Sequence, residues 1–114
     1  MADFCSGTSA SIVLTQNNDQ IAEVGKSVQL ECEVSGYNIN DHHMHWFRLE
    51  LDGKMVWISA FRTGHTTYIN DDFKGRVTPS TRGSTALLKI DRVTVSDSAM
   101  YYCSPDTAQR GTSI

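Results

Sequence analysis

Apolar and polar residues alternate in several short segments of this chain, and alternation with a period of two indicates β-strands. In the clearest segment, every second residue from Val28 to Val34 is apolar and the residues between them are polar. Such a strand packs one face on the core and leaves the other in water. No segment shows helical periodicity for longer than a turn, so the pattern predicts an all-β sandwich. Because Pro79 has no amide N–H, the strand that begins near Arg76 is predicted to be an edge strand or to end there.

The segments 44–49 and 55–58 differ from this pattern, because both faces of each strand would be apolar. Together with the segment 97–103, they direct a second set of mainly apolar side chains away from the core. This set consists of His45, Phe47, Leu49, Met55, Trp57, Met100 and Tyr102. A contiguous apolar patch of this size usually marks a protein interface. We therefore predict a pairing face here; the alternative, cover by the chain's own loops, would need a longer loop than 104–110.

Cysteines lie in two of the predicted strands, Cys32 in the segment 28–34 and Cys103 at the end of the segment 97–103. Trp46 lies between them in the sequence, and Tyr101 stands two positions before Cys103. This spacing of cysteine, tryptophan, tyrosine and cysteine resembles the immunoglobulin fold. The resemblance implies a disulfide bond between Cys32 and Cys103.

The likeness is more specific to the variable (V-type) domains of antibody and T-cell-receptor chains. The segments that carry it are 36–39, 44–46, 57–58, 73–78 and 97–103. It implies a V-type immunoglobulin Greek-key sandwich of two antiparallel sheets over residues 11–114, preceded by a flexible N-terminal segment, 1–10. It also implies structural roles for Trp46 in the core, for an Arg76–Asp97 ion pair and for a tyrosine corner at Tyr101.

The sequence departs from the family pattern at several positions, among them Lys54, which stands near a usual glycine. Ala108 and Gln109 stand where the joining segment of such domains carries an aromatic residue and a glycine. Leu49 stands where paired V domains usually carry a glutamine. The chain therefore resembles an early-diverged relative, such as an invertebrate-chordate V–J-like receptor or a fish receptor chain, more than a mammalian antibody chain.

The resemblance implies a non-catalytic recognition module of an immune-type receptor, which pairs through its C-C′-F-G sheet face. We expect a second V domain as the partner, in a homodimer, with a heterodimer as the alternative. A protein or glycan ligand would meet loops at one end of the sandwich. The loop residues expected to contact it are Asn38, Asp41, His42, Phe61, Arg62, His65, Pro105 and Asp106. Two other interpretations stay open: a monomeric secreted lectin that binds carbohydrate, and a homophilic cell-adhesion domain.

Charge and motif content argue against other classes of function. The net charge is −3 and both signs are mixed along the chain, which disfavours nucleic acid and anionic membranes as partners. No nucleophile elbow, Ser-His-Asp order or phosphate loop occurs, so we predict that the chain is not an enzyme. The histidines at 42, 43 and 45 with Asp41 suggest a metal site, but no fourth ligand follows at an informative spacing. We expect no metal and no cofactor.

The chain has three cysteines, an odd number. A disulfide bond between Cys32 and Cys103 would form in an oxidising compartment, which predicts an extracellular location, at the cell surface or secreted. Cys5 is then left over. Its thiol is expected to be free in a frayed terminus or paired elsewhere, and the alternative is an inter-chain bridge.

Overall fold

Alternating segments separated by turns form eight β-strands in the described part of the chain. In the computed structural model that part comprises residues 13–16 and 22–106. The strands are β1 (Val13–Gln16), β2 (Val28–Ser35), β3 (Met44–Leu49), β4 (Met55–Phe61), β5 (Tyr68–Ile69), β6 (Val77–Arg82), β7 (Thr85–Ile90) and β8 (Met100–Pro105). Among the described residues, three short 3-10 helices, Ile39–Asp41, Asp71–Phe73 and Val95–Asp97, lie in the connections between strands.

The strands pair into two antiparallel sheets, in the orders β1-β2-β7-β6 and β5-β4-β3-β8. In each sheet, strands that are distant in the sequence are neighbours, because β2 pairs with β7 and β3 pairs with β8. The chain thus crosses between the sheets in a Greek-key arrangement. This confirms the predicted all-β sandwich of two antiparallel sheets. β6 is an edge strand, as predicted from Pro79, and it continues past that residue to Arg82.

The core lies between the two sheets. The alternation in β2 has the expected outcome, since Cys32 and Val34 are buried and Glu33 is exposed. Cys32 and Cys103 form a disulfide bond that joins the sheets, with their Cα atoms 6.6 Å apart. The disulfide implied by the resemblance is therefore confirmed. Trp46 lies in the same buried cluster and is 1% exposed.

Some of the expectations concern residues outside the described ranges. These are the N-terminal segment 1–10 with Cys5, and the end of the domain, 107–114, with Ala108 and Gln109. The domain boundaries and the roles of these residues stay predictions.

Candidate pairing face and loop surface

The outer face of the second sheet brings the predicted pairing residues together. Phe47 of β3 lies opposite both Trp57 of β4 and Tyr102 of β8. Residues directly opposite each other in antiparallel strands share a face and contact each other. Leu49 likewise lies opposite Met55 and Met100. The result is an aromatic row, Trp57–Phe47–Tyr102, beside an aliphatic row, Met55–Leu49–Met100; together with His45 these rows form what we call the pairing face.

A β-bulge in β4 sets which side chains reach the pairing face. The register between β3 and β4 shifts between Trp46 and Phe47, so that Trp46 lies opposite Ser59 and Phe47 lies opposite Trp57. Ile58 is the extra residue, and both Ile58 and Ser59 are fully buried. A bulge places two successive residues on the same side of a strand. Trp57 is consequently directed to the outer face while Ile58 fills the core.

The pairing face is partly open to solvent in the described part of the chain. Met55 is 54% exposed and Met100 is 49% exposed. Phe47, Trp57 and Tyr102 are intermediate in burial, as are the remaining members of the face. β3, β4 and β8 correspond to strands C, C′ and F of the predicted face, and the expected strand G lies outside the described residues. The predicted side chains point away from the sandwich core, as the alternation indicated.

Polar groups at the upper edge of the pairing face bond to one another. The indole Nε1 of Trp57 donates to Nδ1 of His45 over 3.2 Å, and the His45 ring stacks on Phe47 with 6.3 Å between ring centroids. Because Nδ1 accepts this bond, the proton of the neutral imidazole lies on Nε2. That atom is 3.8 Å from a carboxylate oxygen of Asp106. His45 therefore satisfies the one polar atom of the Trp57 side chain and fixes the position of the indole.

A buried cluster of charges lies at the opposite end of the same sheet. The Asp97 carboxylate accepts bonds of 2.9 and 3.0 Å from Arg76, so the two side chains form the ion pair that the resemblance implies. Arg48 donates to the same carboxylate over 2.9 Å, and the amide of Thr94 donates over 2.9 Å. Burial by itself would raise the pKa of Asp97, but the bonds from Arg76, Thr94 and Arg48 outweigh it. The pKa of Asp97 therefore lies well below its usual range.

Arg48 is the functional side chain that sequence reasoning missed. It projects inward from β3, with its guanidinium 4.9 Å from the centroid of the Phe73 ring, and it also forms an ion pair of 3.1 Å with Glu50. The available signal was an arginine at a core-facing position of an apolar strand, which requires an acidic partner. Asp97, moreover, lies in the 3-10 helix before β8 and not in the strand where alternation assigned it.

Tyr101 connects this charge cluster to the main chain. Its hydroxyl donates to the backbone carbonyl of Asp97 over 2.7 Å and accepts from Arg48 over 3.1 Å. Burial raises the pKa of the Tyr101 hydroxyl, with Arg48 acting in the opposite direction. The geometry is that of a tyrosine corner.

Two loops and the start of a third, at Asp106, meet at the upper end of the sandwich in the described part of the chain. Asn38 caps the 3-10 helix Ile39–Asp41 through its side chain, and the buried Ile39 anchors that helix. Arg62 donates from Nε to the carbonyl of Asn40 over 2.8 Å, which ties the second loop to the first. The amide of Asp106 donates to the carbonyl of His43 over 2.8 Å, which joins the start of the third loop to the first loop. These bonds produce one continuous loop surface, defined here by Asn38, Asp41, His42, Arg62, His65 and Asp106.

Two residues expected in these loops lie elsewhere, so their assignment to the loops was wrong. Pro105 is the last residue of β8 and is buried, and Phe61 is the last residue of β4. Both lie opposite Met44 at the first position of β3. Pairing with Met44 extends the strands on either side and takes these two residues out of the loops.

Within residues 22–106 and 13–16, no group of three or more His, Cys, Asp or Glu side chains is arranged to hold a metal ion. In the same part of the chain, no helix has the length and hydrophobicity needed to cross a membrane.

Comparison with known proteins decides the family. The family model of the immunoglobulin V-set domain matches residues 15–113. The chain belongs to the immunoglobulin V-set family. An IgW heavy chain V region of Heterodontus francisci is 38% identical over 97 residues, which cover 85% of this chain and 82% of the relative. An Ig heavy chain V region of Xenopus laevis is 33% identical over 100 residues, which cover 86% of this chain and 74% of the relative.

Membership of the V-set family establishes the broad function. V-set domains and antibody V regions are non-enzymatic recognition modules, so the prediction that the chain is not an enzyme is confirmed. Antibody V regions pair with another V domain and are extracellular or located at the cell surface, which supports a partner of that kind and such a location for this V-set domain. The lectin and cell-adhesion alternatives are not favoured by these relatives.

Proposed function

We propose that this V-set domain pairs with a second V domain through the pairing face and binds its ligand through the loop surface. The observation that carries the pairing proposal is the pair of cross-strand rows, Trp57–Phe47–Tyr102 and Met55–Leu49–Met100. Apolar rows that continue across three strands and are still open to solvent lose contact with water only when another surface covers them.

The pairing face has to be large enough for the free energy of its burial to exceed the free-energy cost of association. Full burial of one large apolar side chain contributes about 1.5–3 kcal/mol, whereas association costs at least about 4 kcal/mol in lost freedom of motion. One aromatic residue is therefore insufficient, and the two rows must be covered together. Because Phe47 and Leu49 occupy the central strand of the three, a partner that covers them covers both rows.

The partner that we propose to test first is a second copy of this chain. None of the seven residues of the pairing face is Asp, Glu, Lys or Arg. Two copies can therefore bring these faces together without opposing like charges at the centre of the contact. A different V domain with a similar apolar face would fit for the same reason.

Two variants that each add a carboxylate to an exposed apolar position test the pairing face. Met55 lies on the face and is 54% exposed, whereas Val24 lies outside it and is 68% exposed. Met55→Glu should weaken self-association by at least about tenfold, because pairing would bury the new charge. Val24→Glu changes the net charge equally and should leave the association constant within about twofold. Sedimentation equilibrium over a concentration series measures both constants.

Two results would contradict this proposal. If the unmodified chain sediments as a monomer at tens of micromolar, the homodimer is wrong, and a mixture with a different V domain becomes the test of the face. If Met55→Glu and Val24→Glu reduce association equally, the contact involves another surface.

The ligand proposal concerns the loop surface, in which Arg62 bonds to the carbonyl of Asn40 and Asp106 bonds to the carbonyl of His43. Its exposed residues differ in charge and shape and do not contribute to the buried core. If these loops recognise ligands, V-region transcripts from the animal that makes this chain should vary most at residues 38–43 and 61–67. Variation that is instead uniform along the chain, or concentrated on the sheet surfaces, would argue against ligand binding at this end.

A further inference from the structure

Two methionine residues are the most exposed members of the pairing face. Met55 and Met100 lie on either side of Leu49, on the strands that flank β3, and each has about half of its surface open to solvent. A third methionine, Met44, starts β3 and is 2% exposed because it points into the core. The chain thus carries accessible and inaccessible thioethers on neighbouring strands of one sheet.

We propose that Met55 and Met100 are sites of sulfoxide formation by peroxides in the unpaired chain, and that this modification weakens pairing. The effect on pairing rests on the proposed function, whereas the assignment of the two sites rests on exposure alone. Methionine oxidation follows accessibility, and it converts a flexible apolar side chain into a polar one. Pairing would cover both sulfur atoms, so the modification is confined to chains that have no partner.

The chemistry requires only a peroxide as the second reactant. A lone pair of the thioether sulfur attacks one oxygen of hydrogen peroxide and forms the S–O bond while the O–O bond breaks. The sulfur is oxidised by two electrons. The other oxygen leaves as hydroxide, takes up the proton from the transferred oxygen and becomes water. No group of the protein has to act as a base or to supply electrons.

The two sites differ in one contact. The hydroxyl of Tyr102 donates to the sulfur of Met100 over 3.8 Å. A hydrogen bond to sulfur engages a lone pair that must attack the peroxide and holds the thioether against the Tyr102 side chain. Met55 has no such donor on its sulfur among the bonds of the described residues. Met55 should consequently react faster than Met100, although the two are similarly exposed.

Oxidation would change the aliphatic row of the pairing face. Two of its three side chains would then carry a sulfoxide oxygen, which must lose its water when a partner covers the face. The Leu49 side chain between them has no donor for that oxygen, and the Tyr102 hydroxyl contacts only the sulfur of Met100, so the larger cost is expected at Met55. We expect the modified chain to associate at least about tenfold more weakly than the unmodified chain.

A peroxide time course tests the assignment of the sites independently of pairing. The whole chain is treated at a concentration low enough to keep it monomeric, and peptide mass spectrometry follows each methionine. The expected order of rates is Met55, then Met100, then Met44 far behind. Tyr102→Phe should raise the rate at Met100 and leave the rate at Met55 unchanged. Equal rates at Met44 and Met55, or no change at Met100 in the variant, would overturn the assignment.

Sedimentation equilibrium of the oxidised chain tests whether sulfoxide formation weakens pairing. The matched control is the double variant Met55→Leu, Met100→Leu, whose association constant is measured before and after peroxide treatment. Because neither position then carries a thioether, the two values should agree, whatever the strength of association of the variant. Treatment of the oxidised wild-type chain with both methionine sulfoxide reductases, one for each sulfoxide epimer, and with the reductant that they consume should restore association. If the oxidised chain associates as tightly as the untreated chain, the inferred effect of oxidation is wrong, and the proposed pairing face is unaffected. If the untreated wild-type chain and the double variant both remain monomeric, the self-pairing proposal fails together with the inferred consequence.

Discussion

The carboxylate of Asp97 is bonded to two arginines that reach it from different strands and loops. Its side chain is only 4% exposed, so water cannot replace these bonds. Asp97→Asn keeps the shape of the side chain but removes the ion pair of Arg76 with Asp97 and leaves Arg48 with Glu50 as its acidic partner. We expect the free energy of unfolding to fall by about 3–5 kcal/mol. Urea unfolding followed by tryptophan fluorescence measures this loss.

The matched control is the exposed ion pair between Arg82 and Glu31, whose atoms are 3.4 Å apart. Glu31→Gln also replaces one carboxylate with an amide, but both side chains of this pair are well exposed. The expected loss is below about 1 kcal/mol. Comparable losses in Asp97→Asn and Glu31→Gln would mean that burial does not set the strength of the Asp97 cluster.

The same carboxylate predicts how stability depends on pH. The folded-state pKa of Asp97 lies well below its usual range, because the bonds from Arg76, Thr94 and Arg48 outweigh the opposing effect of burial. In the unfolded chain an aspartate has a pKa of about 3.9. The unfolded state thus binds more protons as the pH falls below that value, and stability is lost.

Urea midpoints measured from about pH 6 down to pH 2 should therefore fall most steeply below about pH 4. Asp97→Asn removes the titrating group, and its decline over this range should be shallower than that of the wild-type chain. Parallel curves for the two proteins would show that other carboxylates control the acid transition.

Sequence reasoning identified one of the two arginines that bond to Asp97. Resemblance related Arg76 to Asp97, whereas Arg48 remained unassigned. Arg48 and Asp97 are 49 positions apart in the sequence, with β4, β5, β6 and β7 between them, so no local pattern relates them. Only the pairing of β3 with β8 brings the two side chains within 2.9 Å of each other.

Among the elements, the hairpin of β6 and β7 depends on a two-residue turn, Gly83 and Ser84. Gly83 has φ of +61°, in the left-handed region that favours glycine. An added Cβ would meet no atom within 4 Å, so the cost of Gly83→Ala is the backbone conformation alone. We expect a loss of about 1 kcal/mol in the free energy of unfolding, measured by urea denaturation.

Ser84→Ala changes the neighbouring residue of the same turn and keeps the backbone carbonyl that accepts from Val34. This control should stay within about 0.5 kcal/mol of the wild-type chain. An equal loss in Gly83→Ala and Ser84→Ala would indicate that side-chain removal or crowding, and not the φ angle, sets the stability of the turn.

Alternation predicted most of the elements correctly, and it failed where pairing with a neighbour sets the structure. β2 follows the period of two along its length, and Pro79 lies on an edge strand as its missing N–H requires. The bulge at Ile58 could not be predicted, because it exists only relative to the register of β3. The ends of β4 and β8 depend in the same way on Met44, so Phe61 and Pro105 were assigned to loops.

For the whole molecule, the disulfide bond closes a loop across 71 residues of sequence. A closed loop of this length restricts the unfolded chain and stabilises the fold by about 4 kcal/mol in the chain-entropy model. The double variant Cys32→Ala, Cys103→Ala should lose at least that amount, since its smaller side chains also leave space in the core. Thermal and urea unfolding provide the measurement.

Reducing agent offers the control for this prediction. It should destabilise the wild-type chain and leave the double variant unchanged, because the variant has no bond between the sheets to break. If the disulfide-bonded wild-type chain and the variant without Cys32 and Cys103 unfold at the same urea concentration, packing between the sheets stabilises the domain without the disulfide bond.

The bulge at Ile58 has a consequence for how this domain can diversify. It resets the inward–outward phase of β4 between its first half, Met55 to Trp57, and its second half, which leads into the second loop. In the second half, Ala60 lies opposite His45, which accepts the hydrogen bond from the Trp57 indole, whereas Ser59 and Phe61 lie opposite the core residues Trp46 and Met44. A larger side chain at position 60 would therefore reach the indole through His45, and substitutions at positions 59 and 61 would act on the core instead.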